Sequence, residues 1–168
     1  MAIGKDKKKK YIVIHSSGGS KNYVGKFNGS YKKDQTEAMS MSPDYIKAIL
    51  KQVGDKDHDI YLINGDGNDI AMEIHDGFAN DNELKGKIKV LKAGLAEAYY
   101  LGTLADAYIG DPINQSMLWI ARFRMALGLG INTYVLTEKK GDKVESLLSQ
   151  ENYLDLYDRS KLGALWMA

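Results

Sequence analysis

Short runs of β-branched and aliphatic residues alternate along this chain with stretches whose apolar positions recur every three to four residues. Tyr11 to Ile14, after four lysines, reads as a buried strand that runs into the small polar turn HSSGGS. Residues 18–41 are rich in Gly, Asn, Ser and Lys, with Tyr23, Phe27 and Tyr31 among them, and read as a long connection. Ser42 and Pro43 announce a helix, because serine caps free amides and proline suits the first helical position. Tyr45, Ile46, Ile49, Leu50 and Val53 follow at helical spacing, and Gly54 ends the run.

Asp59 to Ile63 predicts a second strand, which leads into the turn NGDGND. Residues 70–86 have no clear period. Lys87 to Leu91 predicts a third strand, Ala93 to Leu104 a helix, and Ala107 to Ile109 a fourth strand. Ile113 to Leu127 is apolar on nearly every side, which predicts a helix buried on more than one face. Asn132 to Leu136 predicts a fifth strand and Lys143 to Gln150 a further helix. The tail ends in an apolar segment, Leu162 to Met167, suited to packing on its own domain or on another chain.

Strands alternating with helices predict an α/β fold: one Rossmann-like, three-layer domain over residues 11–168, with a mostly parallel sheet of about five strands. Residues 1–10 form a basic tail. In such sheets ligands sit beyond the carboxyl ends of the strands. HSSGGS, NGDGND and GDPINQS occupy those positions, and all three are small and polar.

Composition narrows this picture only a little. The 168 residues carry a formal net charge of +1, so nucleic acid is not indicated as a partner. There is no cysteine, which excludes disulfides, thiolate catalysis and thiolate metal sites. No apolar run has the roughly 20 residues a membrane helix requires, and the YIVI run is too short for a signal-peptide core. A cytoplasmic protein with no membrane partner is the expectation.

GDPINQS carries the most chemistry. A helix start presents unpaired amides and about half a positive charge, and Asn114, Gln115 and Ser116 add side-chain donors. That combination suits a phosphate; helix capping by Asp111 or Asn114 explains the same residues equally well. In HSSGGS, His15, Ser17 and Gly18 form a turn that lets backbone approach a ligand, although neither the P-loop nor the dinucleotide glycine spacing is present. In NGDGND, Asp66 and Asp69 suit a ribose or metal contact, although an ordinary turn explains the same residues more simply and the calcium-loop pattern is absent. The three histidines lack metal-ligand spacing, so no metal site is expected. Arg122 and Arg124 point about 200° apart and lie roughly 12–15 Å from the helix start. They are expected to pair with acids or to serve an interface rather than a phosphate at DPINQS.

The order of these motifs resembles the donor-binding domain of fucosyltransferase-type glycosyltransferases, which use a GDP-linked sugar. The resemblance covers roughly residues 11–137. It runs through YIVIHSSGG, SPDYIKAIL, DIYLINGDGND and EAYYLGTLADAYIGDPINQSMLWIARFR. It implies that His15 lies beside the nucleotide, that Glu97 reads the base, and that Ser116 with the amides around Gln115 and Met117 holds the diphosphate. Where the family has the arginine of its HxR motif, this chain has Ser17, so the cationic partner of the phosphates is missing.

The stretch ADAYIG…RMALGLGINTYVL is also similar to nucleoside 2-deoxyribosyltransferases, with Arg122 in the place of their nucleophilic glutamate. Three functions follow from these likenesses. They are a glycosyltransferase with Asp66 or Glu97 as base, a binder of a GDP- or UDP-linked nucleotide sugar or other nucleotide without turnover, and a structural protein with a protein partner or a second copy. The absent arginine favours the last two.

Overall fold

The computed structural model describes residues 10–16, 43–54, 57–64, 70–84, 86–110, 115–135, 137–146 and 148. Five strands are followed or linked by helices in these residues: β1 (Tyr11–Ser16), α1 (Pro43–Val53), β2 (Asp59–Asn64), α2 (Ile70–Phe78), β3 (Ile88–Lys92), α3 (Leu95–Leu104), β4 (Ala107–Gly110), α4 (Gln115–Ala126) and β5 (Thr133–Tyr134). A hairpin of β6 (Thr137–Lys140) and β7 (Lys143–Ser146) follows.

The first five strands make one all-parallel sheet in the order β3-β2-β1-β4-β5. The chain steps outward from β1 to β3, then crosses to the other side of β1 for β4 and β5. This reversal places the topological switch point between β1 and β4. The central strand is buried on both faces, which is why it reads as a continuous apolar run.

Side chains on a strand alternate between faces. Ile12 and Ile14 join Ile60 and Leu62 against Ile46, Ile49 and Leu50 of α1 and Ile74 and Phe78 of α2. Val13, Ile63 and Tyr108 join the opposite cluster with Leu101 of α3 and Met117, Ile120 and Ala121 of α4. The result is the expected three-layer α/β architecture. Each fully buried isoleucine or leucine contributes about 1.5–3 kcal/mol relative to exposure.

Three local expectations change. The ambiguous residues 70–86 begin with a helix, α2. The helix expected over Lys143 to Gln150 is instead strand β7, paired antiparallel with β6. Gly141, at φ +61°, turns the hairpin, and Lys140 pairs with Glu145 at 2.8 Å. Val144 is buried between exposed Lys143 and Glu145, a period of two. The Gln52 side chain completes the strand edge, donating to the Val144 carbonyl (2.8 Å) and accepting from its amide (3.1 Å). This tertiary contact overrides the local preference for helix. The fifth strand is shorter than expected, because residues Gly130–Asn132 form a 3-10 turn.

Arg124 departs from expectation too: it pairs with carbonyls, not acids. Its side chain is fully buried. The guanidinium donates to the carbonyls of Gly102, Thr103 and Ala105, which close α3, and to the carbonyl of Asn132. Its Nε donates to Thr133 Oγ1 at 2.7 Å. A cation at a helix C-terminus satisfies orphan carbonyls and opposes the negative end of the dipole. Burial pulls its pKa down to about 10, so it remains charged at neutral pH.

Arg124→Met should destabilise the chain by about 3–5 kcal/mol, because several buried carbonyls lose their donor together. An unchanged urea midpoint would show that these carbonyls do not depend on it. A second expectation concerns alkali. Tyr45 of α1 is hydrogen-bonded to Thr137 Oγ1 at 2.7 Å, and desolvation raises its phenol from 10.0 to about 12. The stabilisation is complete below pH 10 and is lost as pH rises through about 12. Tyr45→Phe should flatten the fall in stability between those limits, measured by denaturation at stepped pH.

Candidate functional site at the carboxyl end of the sheet

The three polar turns found in the sequence leave from three adjacent strands. Ser16 is level with Asn64 across the β1–β2 pair, and His15 with Gly110 across the β1–β4 pair. β2, β1 and β4 therefore end together, and the chain enters HSSGGS, NGDGND and GDPINQS from one edge of the sheet. The described residues stop within each turn, and Ser17, Gly18, Asp66 and Asn114 lie outside them.

The last two residues of β1 face opposite sides of the sheet at the switch point. His15 continues the face of Val13 and is 5% exposed. Its Nδ1 is hydrogen-bonded to the Tyr108 hydroxyl at 3.0 Å, with the rings edge-to-face at a centroid separation of 6.3 Å. Tyr108 is fully buried, and two glycines make room for its ring. A Cβ at Gly110 would lie 2.8 Å from Tyr108 Cε1, and one at Gly102 would lie 2.8 Å from Cε2. The ring is thus held between α3 and the end of β4, and in turn fixes His15.

Ser16 continues the face of Ile12 and Ile14. It is 3% exposed, and its hydroxyl has no hydrogen-bond partner among the described residues. A buried polar group left in this state costs about 1–3 kcal/mol, so its persistence at the switch point calls for an explanation. Five residues beyond Gly110, helix α4 begins at Gln115. Ser116 is in its first turn, partly exposed, and Met117 behind it is fully buried.

Glu97 is in the first turn of α3. One carboxylate oxygen accepts from the Gly94 amide at 3.1 Å, which caps the helix. Arg124 is committed to the end of α3, and the Arg122 guanidinium lies 4.6 Å from the centre of the Trp119 ring. Tyr108, Gly110 and Ser16 were not singled out by sequence reasoning. A tyrosine between a glycine six residues earlier and another two later is a faint signal of a ring needing space. A serine ending an otherwise aliphatic strand is a faint signal of a polar strand mouth.

An open groove of about 910 Å³ lies at the opposite, amino end of the sheet, lined in part by Lys10, His58, Asp106, Lys143 and Glu145. The C-terminal ends of α1 and α3 also border it, through Val53 and Leu104. Negative helix ends disfavour a phosphate there, so the carboxyl end is the better anion site. Among the described residues no three metal-ligating side chains come together, and no helix is long and apolar enough to cross a membrane. No protein-family model matches the chain, and no curated protein or solved structure matches it at a significant level.

Gly110→Ala should push the Tyr108 ring from its place and destabilise the chain by about 1–3 kcal/mol. Thermal unfolding reads the loss, and the aromatic near-UV dichroism should change with it. A variant with wild-type stability and spectrum would mean that the ring is free to move.

Proposed function

We propose that this chain binds a nucleotide or nucleotide sugar across the carboxyl end of its sheet, as a divergent glycosyltransferase-like donor domain that does not turn its ligand over. The observation that carries this reading is the buried, unpartnered Ser16 hydroxyl at the switch point between β1 and β4. A ligand oxygen supplied there offsets the cost of burying that group. The amides at the start of α4 and the Ser116 hydroxyl supply further donors suited to phosphate oxygens.

Absence of turnover follows from charge. Transfer from a nucleotide sugar develops negative charge on the leaving diphosphate, and preorganised cations or dipoles must stabilise it. Ser17 stands where the resembling family has its arginine. Both arginines of α4 are occupied elsewhere, one under α3 and one against Trp119. Neutral donors hold a phosphate but stabilise a departing one weakly. The deoxyribosyltransferase likeness also lacks its nucleophile, because Arg122 stands at that position and packs on an outer ring.

A thermal-shift panel of GDP, UDP, GDP-fucose, deoxynucleoside monophosphates and NAD tests the reading. At least one should stabilise the chain progressively with concentration, and no shift at millimolar ligand with any of them would sink it. Ser16→Ala and Ser116→Ala should each weaken that ligand's Kd about five-fold, equivalent to the ~1 kcal/mol of one hydrogen bond. Release of free sugar or free base during prolonged incubation would overturn the absence of turnover.

A further inference from the structure

Strand β1 ends with two side chains on opposite faces of the sheet. His15 lies on the face covered by α4, where Val13 and Tyr108 pack with Met117 and Ile120. Ser16 lies on the other, where Ile12 and Ile14 pack with Ile46 and Ile49 of α1. Its hydroxyl is therefore across the strand backbones from the start of α4. A phosphate bonded to the first turn of α4 cannot also reach a hydroxyl buried on the opposite face. The two faces meet only around the strand ends. β1 is followed by α1 on one face and β4 by α4 on the other, and between such strands an α/β sheet opens a crevice.

The surroundings of the Ser16 hydroxyl also set the charge of what it meets. The residues whose face it continues are aliphatic, and it is buried with no partner among the described residues. Bringing an ionised phosphate oxygen into such surroundings costs far more than one hydrogen bond returns. A neutral hydroxyl, carbonyl or amide satisfies the same group at much smaller cost. The start of α4 has the opposite preference, because unpaired amides and a positive dipole end favour a charged oxygen.

We propose that the ligand is a nucleoside monophosphate lying across the end of β1, with its phosphate on the first turn of α4 and a neutral group of its nucleoside on Ser16. This rests on the reading that the carboxyl edge binds a nucleotide, and it assigns the two ends. Ser16 then selects a phosphate that carries a nucleoside over a bare one. Inorganic phosphate fills only the α4 end, and a free nucleoside only the Ser16 end.

Titration calorimetry of the full-length chain with inorganic phosphate, guanosine, uridine and the two nucleoside monophosphates separates the ends. Ser16→Ala should weaken the monophosphate that binds, and its parent nucleoside, about five-fold, and leave inorganic phosphate unchanged. Ser116→Ala should weaken the monophosphate and inorganic phosphate about five-fold and leave the nucleoside unchanged. The double variant should lose about 25-fold toward the monophosphate, because separate contacts add. In the free chain, Ser16→Ala should raise the thermal midpoint, since it removes an unpaired buried hydroxyl. A lowered midpoint, undiminished monophosphate binding, or an equal loss of inorganic phosphate in Ser16→Ala would overturn the assignment while the nucleotide site stands. Monophosphate binding with no response to inorganic phosphate at tens of millimolar would overturn it too. Absence of any binding at millimolar monophosphate would remove both the assignment and the reading beneath it.

Discussion

A single buried guanidinium ties together the half of the molecule built after the chain crosses the sheet. Arg124 leaves α4, closes the carbonyl end of α3 and binds Thr133 and the Asn132 carbonyl at the start of β5. Three elements thus share one cation, and none of its contacts is to a carboxylate. Such a group is held by its hydrogen bonds rather than by an ion pair, and five acceptor oxygens around one side chain suit the five N–H donors of arginine but not the three of lysine. Because α3 and α4 sit on that support, the helix start at Gln115 is aimed at the same edge as the end of β1.

The constraint has a chemical consequence. An arginine spent on the far end of α3 is unavailable to a ligand at the near end of α4, and Arg122 is turned to an outer aromatic ring. The switch point is left with neutral groups among the described residues: the Ser16 hydroxyl, the His15 ring held by Tyr108, and the first turn of α4. Neutral donors and a helix dipole suit recognition of an anion more than cleavage of a bond to it.

Much of the architecture was legible from hydrophobic period. The apolar runs of β1, β2 and β4 mark strands buried on both faces, and Pro43 through Val53 has the spacing, the entry proline and the closing glycine of an amphipathic helix. The reading weakened where a segment's partner lay far away in sequence. KVES carries no strong strand signal, and it is a strand because Gln52, more than 90 residues earlier, completes its edge. Arg124 was expected to pair with acids or to serve an interface, because nothing local announces that the carbonyls of α3 converge on it. His15 was visible as a residue at a strand end, but Tyr108, which holds it, became visible only when β1 and β4 were placed side by side.

The sequence by itself determined the fold class, the alternation of elements and the three small polar turns after strands, because these depend on local period and on residues a few positions apart. Tertiary structure alone decided that β1 lies between β2 and β4, that Arg124 is spent on the carbonyls closing α3, and that the Ser16 hydroxyl is buried without a partner among the described residues. Those facts depend on strand order and on packing between segments distant along the chain, where the energy of a contact is set by neighbours that no local pattern encodes.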